Sequence, residues 1–117
     1  MSTLPQYEKD IRPWGQYERF TLNEQTTVKL IQVNPGEVLS LQTHSKRQEF
    51  WRTISGKGIA SIDGVDTELS AGVEVFIPLG AKHRVQATTE QLLFLEIAFG
   101  EFDEKDIIRL EDKYGRK

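Results

Sequence analysis

The feature that most narrows what this chain can fold into is its punctuation. From about Gly15 to Ala98, short runs rich in Val, Ile, Thr, Phe, Tyr and Trp are cut by turn residues at close intervals, and no 3.6-residue apolar spacing appears before Gly100. β-branched and aromatic residues suit a pleated, half-buried surface, and strands separated by turns at this spacing make an all-β sandwich or small barrel. In TVKLIQVN, Val28, Leu30 and Gln32 alternate with Lys29, Ile31 and Val33, and Asn34-Pro35-Gly36 ends the run. Proline presets that turn and glycine closes it. Extended runs follow in VLSLQTH, QEFWRTIS, GIASI, VEVFI, HRVQAT and QLLFLEIAF, the last apolar enough to lie centrally. Asp63-Gly64 is a strong two-residue hairpin signal, so the strands on either side are predicted to pair. After Gly100, Ile107, Ile108 and Leu110 in a charged setting predict a short C-terminal helix or an ordered tail. Residues 1–11 read as an arm that crosses to a partner or covers an edge, and residues 12–117 as a single domain of six to ten strands.

Composition excludes several classes of function. A chain of 117 residues with 38% hydrophobic and 28% charged residues can pack one core, and 9 Gly with 4 Pro exclude collagen-like and low-complexity chains. No stretch approaches the roughly 20 apolar residues that span a bilayer, and MSTLPQYEKD lacks the apolar middle of a secretory signal, so no membrane partner and a cytoplasmic location are expected. The absence of cysteine removes disulfides, thiolate nucleophiles and Cys-ligated zinc together. Any metal site must use His, carboxylate or amide donors. Fifteen Lys and Arg against eighteen Asp and Glu give a net charge of −3, which argues against general nucleic-acid binding. An anionic ligand would need a local basic cluster.

The chemistry-bearing residues are few. His44 and His83 are the two histidines of the chain. A histidine taken alone is usually a surface or satisfied core residue, but the neighbours of these two change that reading. Gln42 and His44 stand two apart on an extended segment and so share a face, and Glu49 opens the next strand. If the strand of His83 lies beside them, an amide oxygen, two imidazoles and a carboxylate form a shell for one divalent ion with open positions. Such mixed donors suit zinc, manganese, cobalt, nickel or iron without discriminating among them. Lys46, Arg47, Lys82 and Arg84 flank the histidines and could supply the anion affinity that the overall charge denies. Trp14, Trp51 and Tyr114 read as packing residues.

At this point the residues resemble the cupins, small jelly-roll barrels or double-stranded β-helices marked by two motifs. Gly36, Gln42, His44, Glu49 and Gly56 stand at the spacing of the first motif, and Gly72, Pro78, Gly80 and His83 at that of the second, with Ala87 where asparagine usually closes it. RPWGQYERF, NPGEVLSLQTH, FIPLGAKHRV and RLEDKYGR further resemble the C-terminal phosphomannose isomerase domain of type II mannose-6-phosphate isomerase/mannose-1-phosphate guanylyltransferase enzymes, over Arg12 to Arg116. Where that family usually reads Q-x-H-H-H-R-x-E-H-W, this chain has Gln42 to Trp51 with three of the histidines replaced, and the acidic stretch after Gly100 is one residue shorter. The resemblance implies an enzyme, an aldose–ketose isomerase converting mannose 6-phosphate to fructose 6-phosphate. It also implies metal on Gln42, His44, Glu49 and His83, catalytic roles for Arg47 and Lys46, and sugar-phosphate contacts from Lys82, Arg84 and Arg109, with Asp112, Tyr114 and Arg116 as further tail contacts. Enediol chemistry needs a Lewis acid or cation on the oxygens, a proton carrier and a phosphate anchor, and the carrier is left open between Lys46 and a carboxylate. A non-catalytic sugar or sugar-phosphate-binding cupin is the alternative, and a metal-dependent dioxygenase a weaker one because Gln42 replaces a stronger donor. A homodimer is expected, since two-fold pairing is the commonest way to cover edge strands.

Overall fold

The computed structural model describes residues 4–101 and 107–112. Among them are eleven strands and no helix: β1 Glu8–Arg12, β2 Gly15–Arg19, β3 Thr26–Val33, β4 Leu41–Thr43, β5 Arg47–Ser55, β6 Gly58–Ile62, β7 Val65–Leu69, β8 Glu74–Ile77, β9 His83–Ala87, β10 Leu92–Gly100 and β11 Ile108–Glu111. The six to ten strands expected become eleven because both ends of the chain also pair. β1 and β2 form an antiparallel hairpin that runs across the expected division between residues 11 and 12. The segment expected as a C-terminal helix or tail is, where described, the strand β11, which pairs antiparallel with β4. No helix of the described chain is long and apolar enough to cross a membrane.

Two sheets, ordered β3-β10-β5-β8 and β11-β4-β9-β6-β7, pack face to face. They remain separate ladders, so the interior is enclosed by stacking of the two sheets and not by a continuous hydrogen-bonded barrel. β10 is central as its apolar run demands, pairing with β3 on one side and β5 on the other. At the predicted hairpin between β6 and β7, Asp63 and Gly64 both have positive φ, 48° and 81°, the requirement of a two-residue turn matching strand twist. Gly56 has a second reason to be glycine: its φ is +92°, and a Cβ there would collide with the Gln91 carbonyl.

Alternation then decides what lies inside. Val33, Trp51, Ala60, Leu69, Ile77, Val85, Leu92 and Phe94 join the two sheets in one buried core. The opposite face of β5 and β10 carries Phe50 and Ile97, which the N-terminal segment covers with Leu4, Tyr7 and Phe20. The arm therefore lies over a sheet face. It is fastened there by Glu18, which accepts hydrogen bonds from the Tyr7 hydroxyl at 2.6 Å and from Arg52 Nη1 at 2.7 Å. Trp14, read as a packing residue, is instead 72% exposed, between the paired strands of the hairpin. On β3 the same parity has an unusual result: Val28 and Leu30 face outward and are exposed, while Lys29 faces the interior beside Ile31.

Candidate metal centre and its cavity

The connection between β4 and β5 and the start of β9 bring the expected ligands together. Gln42 on β4 stands directly opposite His83 on β9, so the two side chains leave the same face of their sheet. His44, just past β4, stacks obliquely on His83 with ring centroids 4.6 Å apart. Glu49 reaches the pair from the facing sheet, with Oε2 3.2 Å from His44 Nε2. All three are buried, and one ligand atom from each of His44, Glu49 and His83 lies within 4.8 Å of the others.

That donor set could hold a metal ion. Two donors each about 2.1 Å from one ion stand about 3.4 Å apart in a tetrahedral shell and at most about 4.2 Å apart, so side-chain shifts of roughly an ångström would close the set. The surroundings orient it. His83 Nδ1–H donates to the Ala81 carbonyl at 3.1 Å, which leaves Nε2 as the ring's ligand atom. Trp51 Nε1–H donates to Glu49 Oε1 at 3.0 Å, and Arg47 Nε–H to Glu49 Oε2 at 3.1 Å. Gln42 gives its Nε2–H to Ser40 Oγ at 2.6 Å, so its Oε1 is the end left to accept. Burial alone would push the Glu49 carboxyl up, but the charges of His44 and His83, the Trp51 hydrogen bond and Arg47 outweigh it and hold the group below the ordinary glutamate range.

Sequence reasoning missed two residues here. Glu96 on β10 is buried, hydrogen-bonds Glu49 and is pushed up to about 8, first by burial and then by the neighbouring Glu49 charge. Lys29 on β3 stands opposite Glu96 in the antiparallel ladder and lines the same space. The available signal was a lone carboxylate inside the apolar run QLLFLEIAF, where the face of Phe94 is also the face of Glu96.

A cavity of about 170 Å³ opens from the cluster, lined by Gln42, Glu49 and His83 together with Lys29, Arg47, Arg84, Glu96 and Arg109, over a floor that includes Trp51 and Phe94. Of the cations expected around the site, Arg47 is committed to Glu49, and Arg84 is tied by Nε to the Leu39 carbonyl at 3.0 Å and by its Nη atoms to Glu111. Arg109 projects from β11 into the cavity. Lys46 and Lys82 do not line it. Each precedes an inward residue, Arg47 or His83, so period-2 geometry turns it to the exposed face. Lys82 instead borders a shallow recess with Asp63 and Gly64. Asp112 is partly buried, and Tyr114 and Arg116 lie outside the described residues.

A jelly-roll pair of sheets carrying a His/Glu/His cluster at one end of its interior is the architecture of a cupin, and the fold agrees with a cupin protein from Bacteroides fragilis at a TM-score of 0.60 and 25% identity, over 73% of this chain and 76% of that one. Residues 2–112 match the family described as mannose-6-phosphate isomerase C-terminal, and the chain belongs to that family. Among relatives, mannose-1-phosphate guanylyltransferase ManC of Salmonella typhimurium is 38% identical over 90% of this chain but 22% of its own length. Xanthan biosynthesis protein XanB of Xanthomonas campestris is 37% identical over 94% of this chain and 24% of its own. The chain thus spans about a quarter or less of these relatives.

These findings correct the expected function. Interconversion of mannose 6-phosphate and fructose 6-phosphate was expected from the resemblance, yet the named activity of ManC is guanylyl transfer, which belongs to a protein more than four times the length of the matched segment. Lys46, one candidate for the proton carrier, also stands outside the cavity. The isomerase assignment is therefore withdrawn for this chain.

Proposed function

We propose that the chain is a metal-dependent cupin that binds a phosphorylated sugar. The observation that carries this reading is the charge of the cavity wall. Lys29, Arg47, Arg84 and Arg109 face Glu49 and Glu96 there, four cations against two carboxylates, in a protein of net charge −3. A positive cavity in an acidic protein selects anions, and guanidinium groups match phosphate oxygens in geometry as well as charge. Gln42, His44, Glu49 and His83 would hold one divalent ion of the zinc, manganese, cobalt, nickel or iron group, which supplies Lewis acidity to ligand oxygens when bound. Trp51 and Arg47 keep Glu49 aimed, the Ala81 carbonyl sets the His83 ring, and Trp51 backed by Phe94 closes the floor of the cavity. The name of ManC, which acts on mannose 1-phosphate, supports a mannose phosphate as the ligand class.

The test is calorimetry on metal-free and metal-loaded protein, with mannose 1-phosphate, mannose 6-phosphate and mannose as titrants and elemental analysis of the loaded sample. Saturable binding is expected that weakens when the metal is removed and is weaker for mannose than for its phosphates. Equal affinity for mannose and its phosphates, or unchanged affinity after metal removal, would end the reading.

A further inference from the structure

The cavity has two ends, and the ladder registers say which residues stand at each. In the first sheet Lys29, Glu96 and Trp51 form one cross-strand row over β3, β10 and β5, and in the second Arg109, Gln42 and His83 form another over β11, β4 and β9. Residues in such a row share a face, and adjacent strands are about 4.8 Å apart. Lys29 and Arg109 therefore stand about 10 Å of backbone away from Trp51 and His83, each on the outermost strand of its sheet. The lining includes nothing from β6, β7 or β8, so the cavity lies on the β3 and β11 side of the molecule. Its metal-ligand end is flanked by Arg47, which is bonded to Glu49, and Arg84 is held by Leu39 and Glu111. Arg109 differs from both in its place, on the outermost strand of its sheet. Its Nε is buried and has no hydrogen-bond partner among the described residues. A buried guanidinium N–H left unmade costs free energy that a ligand anion would recover.

We propose that Lys29 and Arg109 form a distal anion subsite that receives the phosphate of the bound sugar, while the sugar oxygens meet the His44, Glu49 and His83 end. The proposal rests on the sugar-phosphate reading above and gives it a direction: the anion sits between the two edge strands, away from Lys46 and Lys82. It commits the ligand class to molecules whose anionic group and oxygen donors are separated by several ångströms. It also separates the work of the two rows, because a lysine serving only to neutralise Glu96 would act on Glu49 and the metal and not on the phosphate.

The experiment uses the full chain loaded with metal, in the forms Lys29→Met and Arg109→Met, each confirmed folded by circular dichroism, with Lys29→Gln and Arg109→Lys as milder variants. Three quantities are read: metal affinity, affinity for mannose 6-phosphate and affinity for mannose. Loss of about 10- to 100-fold in mannose 6-phosphate affinity per residue is expected, the worth of one hydrogen bond to a charged group, with metal and mannose affinities unchanged and an intermediate loss in Arg109→Lys. Unchanged phosphate affinity, or equal loss for mannose and its phosphate, would overturn the subsite. Weakened metal binding in Lys29→Met would assign that residue to Glu96 instead. Inorganic phosphate distinguishes failure of this proposal from failure of the one it rests on. If wild-type protein binds inorganic phosphate and the variants do not, but no sugar phosphate binds, the anion subsite stands and the sugar reading falls; if neither binds, both fall.

Discussion

The two ends of the same interior differ as sharply as a core and a surface. Following the inward face of β3, one meets Val33 and Ile31 and then Lys29; along β10, Leu92 and Phe94 and then Glu96; along β9, Ala87 and Val85 and then His83; along β5, Thr53 and Trp51 and then Glu49 and Arg47. The antiparallel registers bring the apolar halves of these strands together and the polar halves together. One end is filled with side chains and supplies stability. The other keeps a cavity and buries His44, Arg47, Glu49, His83 and Glu96, groups that cost free energy to desolvate and are held by pairing with one another. The contrast teaches that parity chooses what points inward, while position along the strand decides whether it fills the core or lines the cavity.

The comparison can be broken most severely at its apolar end. Phe94 is fully buried between Ile31 and Thr53 in the ladder, and Phe94→Ala is expected to lose about 3–5 kcal/mol in denaturant unfolding. The polar end is sharpened by pH. Glu96 moves from the ordinary 4.5 to about 8 on folding. A raised carboxyl favours the folded state while protonated, so its contribution is complete below pH 4.5 and is lost as pH rises through about 8, a change on the order of a few kcal/mol. Stability of metal-free wild type relative to Glu96→Gln should fall across that window and level off above it. A flat difference would show Glu96 to be ionised in the folded protein.

Next in size, His83→Ala is expected to lower metal affinity by more than the roughly 10- to 100-fold typical of outer partners, measured by competition with a chelator, while the apolar end stays folded. Retention of stoichiometric metal by His83→Ala would move the centre elsewhere. Trp51→Phe carries the smallest effect. It keeps the ring against Phe94 but removes the indole N–H from Glu49, so metal affinity should drop about 10- to 100-fold with a stability cost near 1 kcal/mol for the one hydrogen bond. Equal metal affinity in Trp51→Phe would make Trp51 a packing residue only, as the sequence reading had it.

What the sequence by itself determined was local. Asp63-Gly64, Gly56 and Asn34-Pro35-Gly36 end strands because few other residues accept the backbone required there, and the apolar run of β10 demands a central place. The spacing of Gln42, His44 and Glu49, with His83 after Gly80, carried the candidate donor cluster, since period-2 geometry and one short turn keep the first three within reach of each other. What only the tertiary structure decided was which face of each strand looks inward and which distant strands share a row. The sequence of β3 offers two alternating sets, and packing puts Lys29 inside and leaves Val28 and Leu30 exposed. Glu96 joins Glu49, 47 residues away in the chain, because β10 pairs with β5 in a particular register. The C-terminal Ile108–Glu111 segment is a strand because β4 offers an edge to pair with, and Lys46 and Lys82 leave the site because their neighbours enter it. A ladder is a non-local object: one residue of slip reverses every side chain, and only the packing of the other sheet makes one register win.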